Sequence, residues 1–210
     1  MLLSGGIDSA TVLYLTKKKR AVRALTFEYN GIARSELAAA RAIASRAGVL
    51  EHRVVRLPDL KEAADIAGFR PRGLPLNYIP LRNSIFYSFA ASYAEEKGAV
   101  SIIGGHNGDD SRVFVDVSPE FFRSLQRAFR NGSQILRKNG LQITRPLSRL
   151  GKPAVIRLAE SMGVPLELTW SCHRDYEKHC WECDGCLTRV RCFREAGIVD
   201  PLGAKSEKIT

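Results

Sequence analysis

Two groups of residues in this chain have types and spacings that can do chemistry. The first is Leu3-Ser4-Gly5-Gly6-Ile7-Asp8-Ser9, set between an apolar stub that ends a strand and the start of a helical stretch. Adjacent glycines let the backbone turn tightly and aim several N–H groups at one anion, and the positive end of the following helix adds to that field. A pyrophosphate fits such a turn. Ser4 and Ser9 offer hydroxyls to phosphate oxygens, and Asp8 or Ser9 is placed to cap the helix. The loop lacks the Gly-Lys-Ser/Thr ending of a Walker loop and the third glycine of a dinucleotide fingerprint. An ordinary capped strand-to-helix turn is the competing reading, and two glycines alone would not displace it. The whole hexamer at the first strand–helix junction does.

The second group is the cysteines. All five lie in the last fifth of the chain: Cys172, Cys180, Cys183, Cys186 and Cys192. A disulfide framework spreads its cysteines along a small secreted chain, so this bunching favours a metal. Cys172, Cys180, Cys183 and Cys186 follow C-x7-C-x2-C-x2-C. Two-residue gaps place thiolates on a tight knuckle, and four of them close a tetrahedral shell around a structural zinc with no position left for substrate. A redox pair, or His173 and His179 as substitute ligands, are the alternatives. Cys192 falls on the next helical stretch and reads as a packed core thiol.

The elements that must hold these groups alternate between short β-like runs and longer helical ones. Met1 to Leu3 is a strand stub, and 9–18 is helical with Ala10, Val12, Leu13 and Leu15 on one face. Strands are expected over 21–27, 52–56, 101–104 and 142–144, and helices over 34–47, 82–97, from Pro119 onward, and over 152–162 closed by Gly163. Such alternation implies an α/β fold with a parallel sheet covered on both faces, and ligands at the carboxyl ends of its strands. Stretches 57–81 and 105–117 show weak periodicity and read as loops serving a site. The expected division is an α/β domain over 1–165 with a zinc-binding segment, 166–210, packed on it.

With 210 residues, 45% of them hydrophobic, the chain can bury a substantial core. No apolar run reaches the roughly 18 to 20 residues of a membrane span, and glycines and Asp8 interrupt any signal-like start, so a cytoplasmic protein is expected. The formal net charge of +10 favours polyanionic or phosphorylated ligands by long-range attraction.

The hexamer resembles that of the PP-loop ATP pyrophosphatases. Together with the cysteines, the chain resembles one branch of them, the 7-cyano-7-deazaguanine synthase family, over nearly its whole length. The matching stretches are Phe27-Glu28-Tyr29 with Glu36-Leu37, Ile79-Pro80-Leu81-Arg82-Asn83, and 114–121 from Phe114 to Phe121. Pro146, Lys152, Thr169-Trp170-Ser171-Cys172, Phe193, Ala196-Gly197 and Asp200-Pro201 complete them. The family's Gly-Gln-Arg-His is here Asn30-Gly31-Ile32-Ala33, and its Cys-Arg is Val117-Ser118, which removes positive groups that would clamp a carboxylate.

The resemblance implies an adenine-nucleotide α-hydrolase-like fold and an ATP-dependent C–N ligase that forms AMP and pyrophosphate. It implies ATP with Mg2+ on Leu3, Ser4, Gly5, Gly6, Ile7, Asp8, Ser9, Ala10, Thr11, Val12 and Leu13. Lys152, Arg82 and Asp110 become catalytic candidates, and Asn83, His106, Asp116 and Glu120 candidates for binding the substrate. It further implies a deazapurine carboxylate and ammonia as substrates, a nitrile product and a homodimer, with neither membrane nor nucleic acid expected as partner. Three alternatives stay open. One is a paralogue adenylating another carboxylate or stopping at an amide or conjugate. A second is a tRNA-modifying relative using the basic surface, and a third is a non-catalytic zinc-stabilised nucleic-acid-binding module.

Overall fold

The structure is a computed structural model that describes residues 1–29, 34–60 and 78–203. Its centre is a ladder of short strands. β1 (Arg23–Glu28) runs parallel to β2 (Glu51–Arg56), with Arg23 opposite Glu51 and Glu28 opposite Arg56. β3 (Ser101–Ile103) runs parallel to β4 (Gln142–Thr144). Residues 1–3 join the two pairs. The N–H groups of Leu3 and Leu25 donate to Leu25 O and Met1 O, both at 2.8 Å, and the Leu2 N–H donates to Ile103 O at 2.9 Å. The ladder order is therefore β2, β1, residues 1–3, β3, β4. The chain builds outward from its opening residues on one side and then returns to build on the other. The crevice between residues 1–3 and β3 is thus the topological switch point, where such sheets bind ligands.

Side chains alternate across this ladder, as the period of two demands. Leu3 and Ala24 enter one buried cluster and Leu25, Phe27 and Ile102 the opposite one. The first face is covered by α1 (Ile7–Lys17), α2 (Arg34–Ala47), α7 (Lys152–Ser161) and α8 (Asp184–Ala196), which contribute Leu13, Ile43, Ile156 and Phe193. The second is covered by α3 (Arg82–Glu96), α5 (Pro119–Gly132) and α6 (Gln134–Asn139), through Tyr87, Phe122 and Leu136. The fold is α/β and parallel, as expected, and Cys192 and Phe193 near its C-terminal end pack into the same core as Leu3.

Three local expectations are corrected. Stretch 105–117 is not a plain loop, because it contains α4 (Asp110–Val113) and a 3-10 turn at Val115–Val117. Helix α6 adds a separate short element after α5 where the sequence predicts only one helix from Pro119 onward. Its N-cap Ser133 accepts the Leu136 N–H at 3.0 Å, and Gly140 closes it at φ 67°. Neither Asp8 nor Ser9 caps α1, whose N-cap is Gly6 with no side-chain cap bond. The departure at 30–33 and most of stretch 57–81, residues 61–77, lie outside the described residues. No helix among the described residues is long and apolar enough to cross a membrane.

Candidate active site and metal centre

At the switch point the glycine loop is shaped from both sides. Gly5 sits at φ 87°, and a Cβ there would lie 2.6 Å from the Glu36 carbonyl oxygen, so α2 leaves room only for glycine. The Ser9 hydroxyl donates to Gly6 O at 3.1 Å and accepts the Ser4 N–H at 3.2 Å, and the Ser4 and Ser9 hydroxyls lie 3.1 Å apart. Both hydroxyls thus organise the turn. The first N–H groups of α1 beyond it have no partner within the helix, which makes them available to an anion.

The segment after β3 closes on this loop. Gly105 packs so tightly that a Cβ on it would stand 2.9 Å from Ser9 N and Cα. Buried Asn107 donates from Nδ2 to Asp8 Oδ2 at 3.0 Å. Its Oδ1 accepts the N–H groups of Asp109 (2.8 Å) and Asp110 (3.1 Å). Asp109 Oδ2 in turn accepts the Lys152 N–H at 2.9 Å, fixing the start of α7. Lys152 Nζ then lies 3.1 Å from Asp8 Oδ2 and 3.9 Å from Asp110 Oδ1. Three predicted residues from three distant parts of the chain are therefore in one cluster. Burial pushes the Asp8 carboxyl up, which Lys152 opposes and Asp110 reinforces. Burial also works against the Lys152 ammonium, but the charges of Asp8 and Asp110 win and raise it, so the lysine stays charged. Two carboxylates beside one ammonium, at an anion-binding turn, fit a Mg2+–polyphosphate: hard oxygen donors for the cation and a positive charge for the phosphates.

A second group of candidates lies around the start of α3. Leu81, the N-cap, is a non-glycine residue at φ 52°, a strained conformation of the kind that collects at functional sites. Arg82 donates from Nη1 to the Tyr29 hydroxyl at 3.4 Å. Burial raises the nearby Glu36 carboxyl to about 7 against the opposing charge of Arg82. Asn83, 8% exposed, donates to Asp116 Oδ2 at 3.0 Å. His106 packs between Tyr87 and Phe122, with ring centroids at 5.9 and 5.3 Å. Glu120 is not drawn in, because it is exposed and paired with Arg123 on its own helix. Where the family pattern has Cys-Arg, Val117 is buried in the core and Ser118 caps α5 by accepting the Phe121 N–H at 3.1 Å. The Arg145 guanidinium is on this side instead, 4.6 Å from the Phe122 ring centroid and donating to Val117 O at 3.1 Å.

Burial, helped by Arg145, lowers His106 from 6.5 to about 4. The unfolded chain therefore takes up this proton first as pH falls. The contribution to stability is complete above about pH 6.5 and is lost on the way down to about 4, on the order of 3 kcal/mol. His106→Asn should flatten that part of the stability–pH curve, as urea denaturation at a series of pH values would measure.

Asn107, Arg145 and Trp170 also lie beside these candidates, and their types and local context in the sequence do not single them out. Asn107-Gly108 reads locally as a turn. Its partnership with Asp8 spans 99 positions and left no local signal.

The cysteine cluster forms as its spacing predicts. The sulfur atoms of Cys172, Cys180, Cys183 and Cys186 all lie within 4.8 Å of one another, with Cys180–Cys186 and Cys172–Cys183 at 3.9 Å. The edge of a tetrahedron with bonds of about 2.3 Å is roughly 3.8 Å, so the four fit one mononuclear ion. Backbone N–H groups of Glu182 and Cys183 point at Cys180 Sγ, and those of Arg174 and His173 at Cys172 Sγ and Cys183 Sγ, as a thiolate knuckle requires. His179 is not a ligand, since its Nε2 accepts the Ser171 N–H at 3.0 Å. A cavity of about 300 Å³ separates knuckle and glycine loop, lined by Gly6, Asp8, Lys152, Trp170, His173 and Asp184 among others.

The sequence model of a family described as "Queuosine biosynthesis protein QueC" matches residues 1–197. A 7-cyano-7-deazaguanine synthase from Thermosynechococcus vestitus is 39% identical, over 96% of this chain and 93% of that protein. Another, from Thermoplasma acidophilum, is 38% identical over 96% of this chain and 90% of its own. Among solved structures, an NMN synthetase from Francisella tularensis shares the fold at a TM-score of 0.57 and 18% identity, over 94% of this chain and 76% of that one. The U34-tRNA thiolase NcsA from Methanococcus maripaludis does so at 0.51 and 16%, over 93% and 65%. At such identities these two speak for the fold alone. The closer relatives are synthases, so this chain is an enzyme, and four of its five cysteines are gathered as a group that could hold a metal ion. A match along almost the entire length, with relatives near 40% identity, means that the chain belongs to the QueC family of queuosine biosynthesis proteins.

Proposed function

We propose that this enzyme is an ATP-dependent C–N ligase converting 7-carboxy-7-deazaguanine and ammonia to 7-cyano-7-deazaguanine, a precursor of queuosine and archaeosine. One observation carries the reading. The glycine loop, Asp8, Asp110 and Lys152 converge at the switch point in a chain whose relatives are named for that product. A substrate carboxylate oxygen attacks the α-phosphorus of ATP, pyrophosphate leaves, and ammonia displaces AMP to give the amide. The amide oxygen then attacks the α-phosphorus of a second ATP, and a second pyrophosphate leaves. Loss of the second AMP, with the two protons on nitrogen, leaves the nitrile.

In this scheme the N–H groups of the loop and first turn of α1, within residues 3–13, hold the polyphosphate. Lys152 offsets charge developing on the departing pyrophosphate, where fixed electrostatics act most strongly. Asp8 and Asp110 offer oxygen ligands to Mg2+, which when bound screens the phosphates from the attacking oxygen. Arg82, beside Tyr29 and Glu36, presents a guanidinium to the substrate carboxylate. Asp116, steadied by Asn83, matches the paired N–H donors of a guanine-like face, and uncharged His106 lines the same side. Glu120 joins this set only by releasing Arg123. Zn2+ is the ion proposed for the four thiolates. The proposal includes a homodimer, on the sequence resemblance alone, and a cytoplasmic location.

The test combines protein, ATP, Mg2+, ammonia and 7-carboxy-7-deazaguanine, with products read by mass spectrometry. Nitrile formation is expected. Accumulated amide would point to a shortened reaction, and absence of AMP would remove the adenylating class. Cys192 is buried among Leu3 and Phe193, and burial raises its thiol, which disfavours a reactive thiolate of the sulfur-transfer kind. Cys192→Ser should keep nitrile formation within about twofold, and a loss of activity in a folded protein would favour that other chemistry.

A further inference from the structure

Residues 169–172 run as a strap between the glycine loop and the metal knuckle. On one side, the Trp170 N–H donates to Gly5 O at 2.9 Å. On the other, the strap ends in the ligand Cys172, and the Ser171 N–H donates to Nε2 of His179, the neighbour of the ligand Cys180. The His179 ring lies between the only two tryptophans of the chain, 4.2 Å from Trp170 and 5.2 Å from Trp181 by ring centroids. Trp181 adopts φ 60°, a left-handed conformation rare outside glycine, inside the Cys180–Cys183 turn. The first turn of α8 presses on the same strap, for a Cβ on Gly185 would stand 2.0 Å from Ser171 O.

The peptide this strap grips is the one between Gly5 and Gly6. With glycine on both sides, no Cβ resists its rotation, and it is the most easily flipped peptide of the loop. A planar trans peptide carries its C=O and N–H in opposite directions. Pinning Gly5 O to Trp170 therefore aims the Gly6 N–H the other way, toward the side of the Ser4 hydroxyl, whose oxygen it meets at 3.4 Å. We infer that Trp170 and His179 are positioning residues through which the four-cysteine knuckle sets the phosphate-binding conformation of the glycine loop, so that metal binding and nucleotide binding are coupled. The inference rests on the proposed nucleotide role of the loop and goes beyond a metal that only stabilises the C-terminal segment. Coupling between two sites is reciprocal, so each ligand must strengthen the other by the same factor.

Zinc competition, nucleotide affinity and Trp170 emission test it. In the zinc-loaded wild type, saturating Mg2+ with a non-hydrolysable ATP analogue should tighten zinc several-fold in equilibrium competition with a chromophoric chelator. His179→Ala should keep one zinc per chain by elemental analysis, weaken the analogue about tenfold by calorimetry, and raise KM for ATP similarly while kcat falls less than threefold. His179→Gln, which retains an acceptor for the Ser171 N–H, should recover most of that loss. In Trp181→Phe, analogue binding should change the emission of Trp170, now the only fluorophore of its kind. Wild-type nucleotide affinity in His179→Ala, together with zinc affinity indifferent to the analogue, would overturn the inference while leaving the ligase reading intact. A wild type that does not bind the analogue at all would overturn both.

Discussion

Lys152→Met is expected to slow AMP formation by about 10²- to 10³-fold, corresponding to roughly 3 to 4 kcal/mol of lost transition-state stabilisation. In the free protein the ammonium sits 3.1 Å from one carboxylate and 3.9 Å from another, with its side chain about one-third exposed. Methionine keeps much of the packing and removes the charge. Asp8 and Asp110 would then face a triphosphate with no cation of the protein's own between them. The backbone of residue 152 still donates to Asp109, so α7 keeps its start and the fold should survive. Lys152→Arg preserves charge but replaces a compact point donor with a wider planar fork, and an intermediate loss of about tenfold is expected. Single-turnover pyrophosphate release, with circular dichroism as a folding control, measures all three proteins. A wild-type rate in Lys152→Met would remove the lysine from the chemistry.

The other large effect is on stability. Stripping the metal, or replacing Cys172 with serine, should lower the Tm by about 10 to 20 °C, which for a chain of this size corresponds to about 5 kcal/mol. Structural zinc sites in small peptides contribute about 10 kcal/mol or more, because the site does not exist in the unfolded chain. The smaller figure follows from what else holds the segment. Arg189 forms a buried two-point ion pair with Asp200, at 2.6 and 2.8 Å, and also donates to Thr169 Oγ1 and Leu166 O, while Phe193 packs into the main core. Those contacts remain after the metal leaves, but the turn from Cys172 to Cys186 loses its centre. Calorimetric scans before and after chelation, with zinc counted by elemental analysis, give the answer. A metal-free protein with an unchanged Tm would refute a structural ion.

Much of this architecture is written locally. The 34–47 helix and the 142–144 strand have the expected bounds, and Pro119 takes the first turn of its helix behind the Ser118 cap, because such signals act over a few residues. The cysteine spacing is equally local, since a knuckle is a property of its own turn. What escaped depends on distance along the chain or on short length. Helix α6 has six residues, too few for a periodic pattern to show. Asp8 invites a capping role beside its helix, yet its partners are Asn107 and Lys152, 99 and 144 positions away. Asn107 and Trp170 carry no chemistry of their own type. Their parts come from where the sheet order delivers them, beside a loop that sequence alone could identify.

The most direct test of the account uses 7-carboxy-7-deazaguanine labelled with 18O in both carboxylate oxygens, with unlabelled ATP, Mg2+ and ammonia. If this site twice directs a substrate oxygen onto an α-phosphorus, two AMP form for each nitrile, and each AMP carries one heavy oxygen. Unlabelled AMP, or the label recovered in phosphate or water, would contradict it.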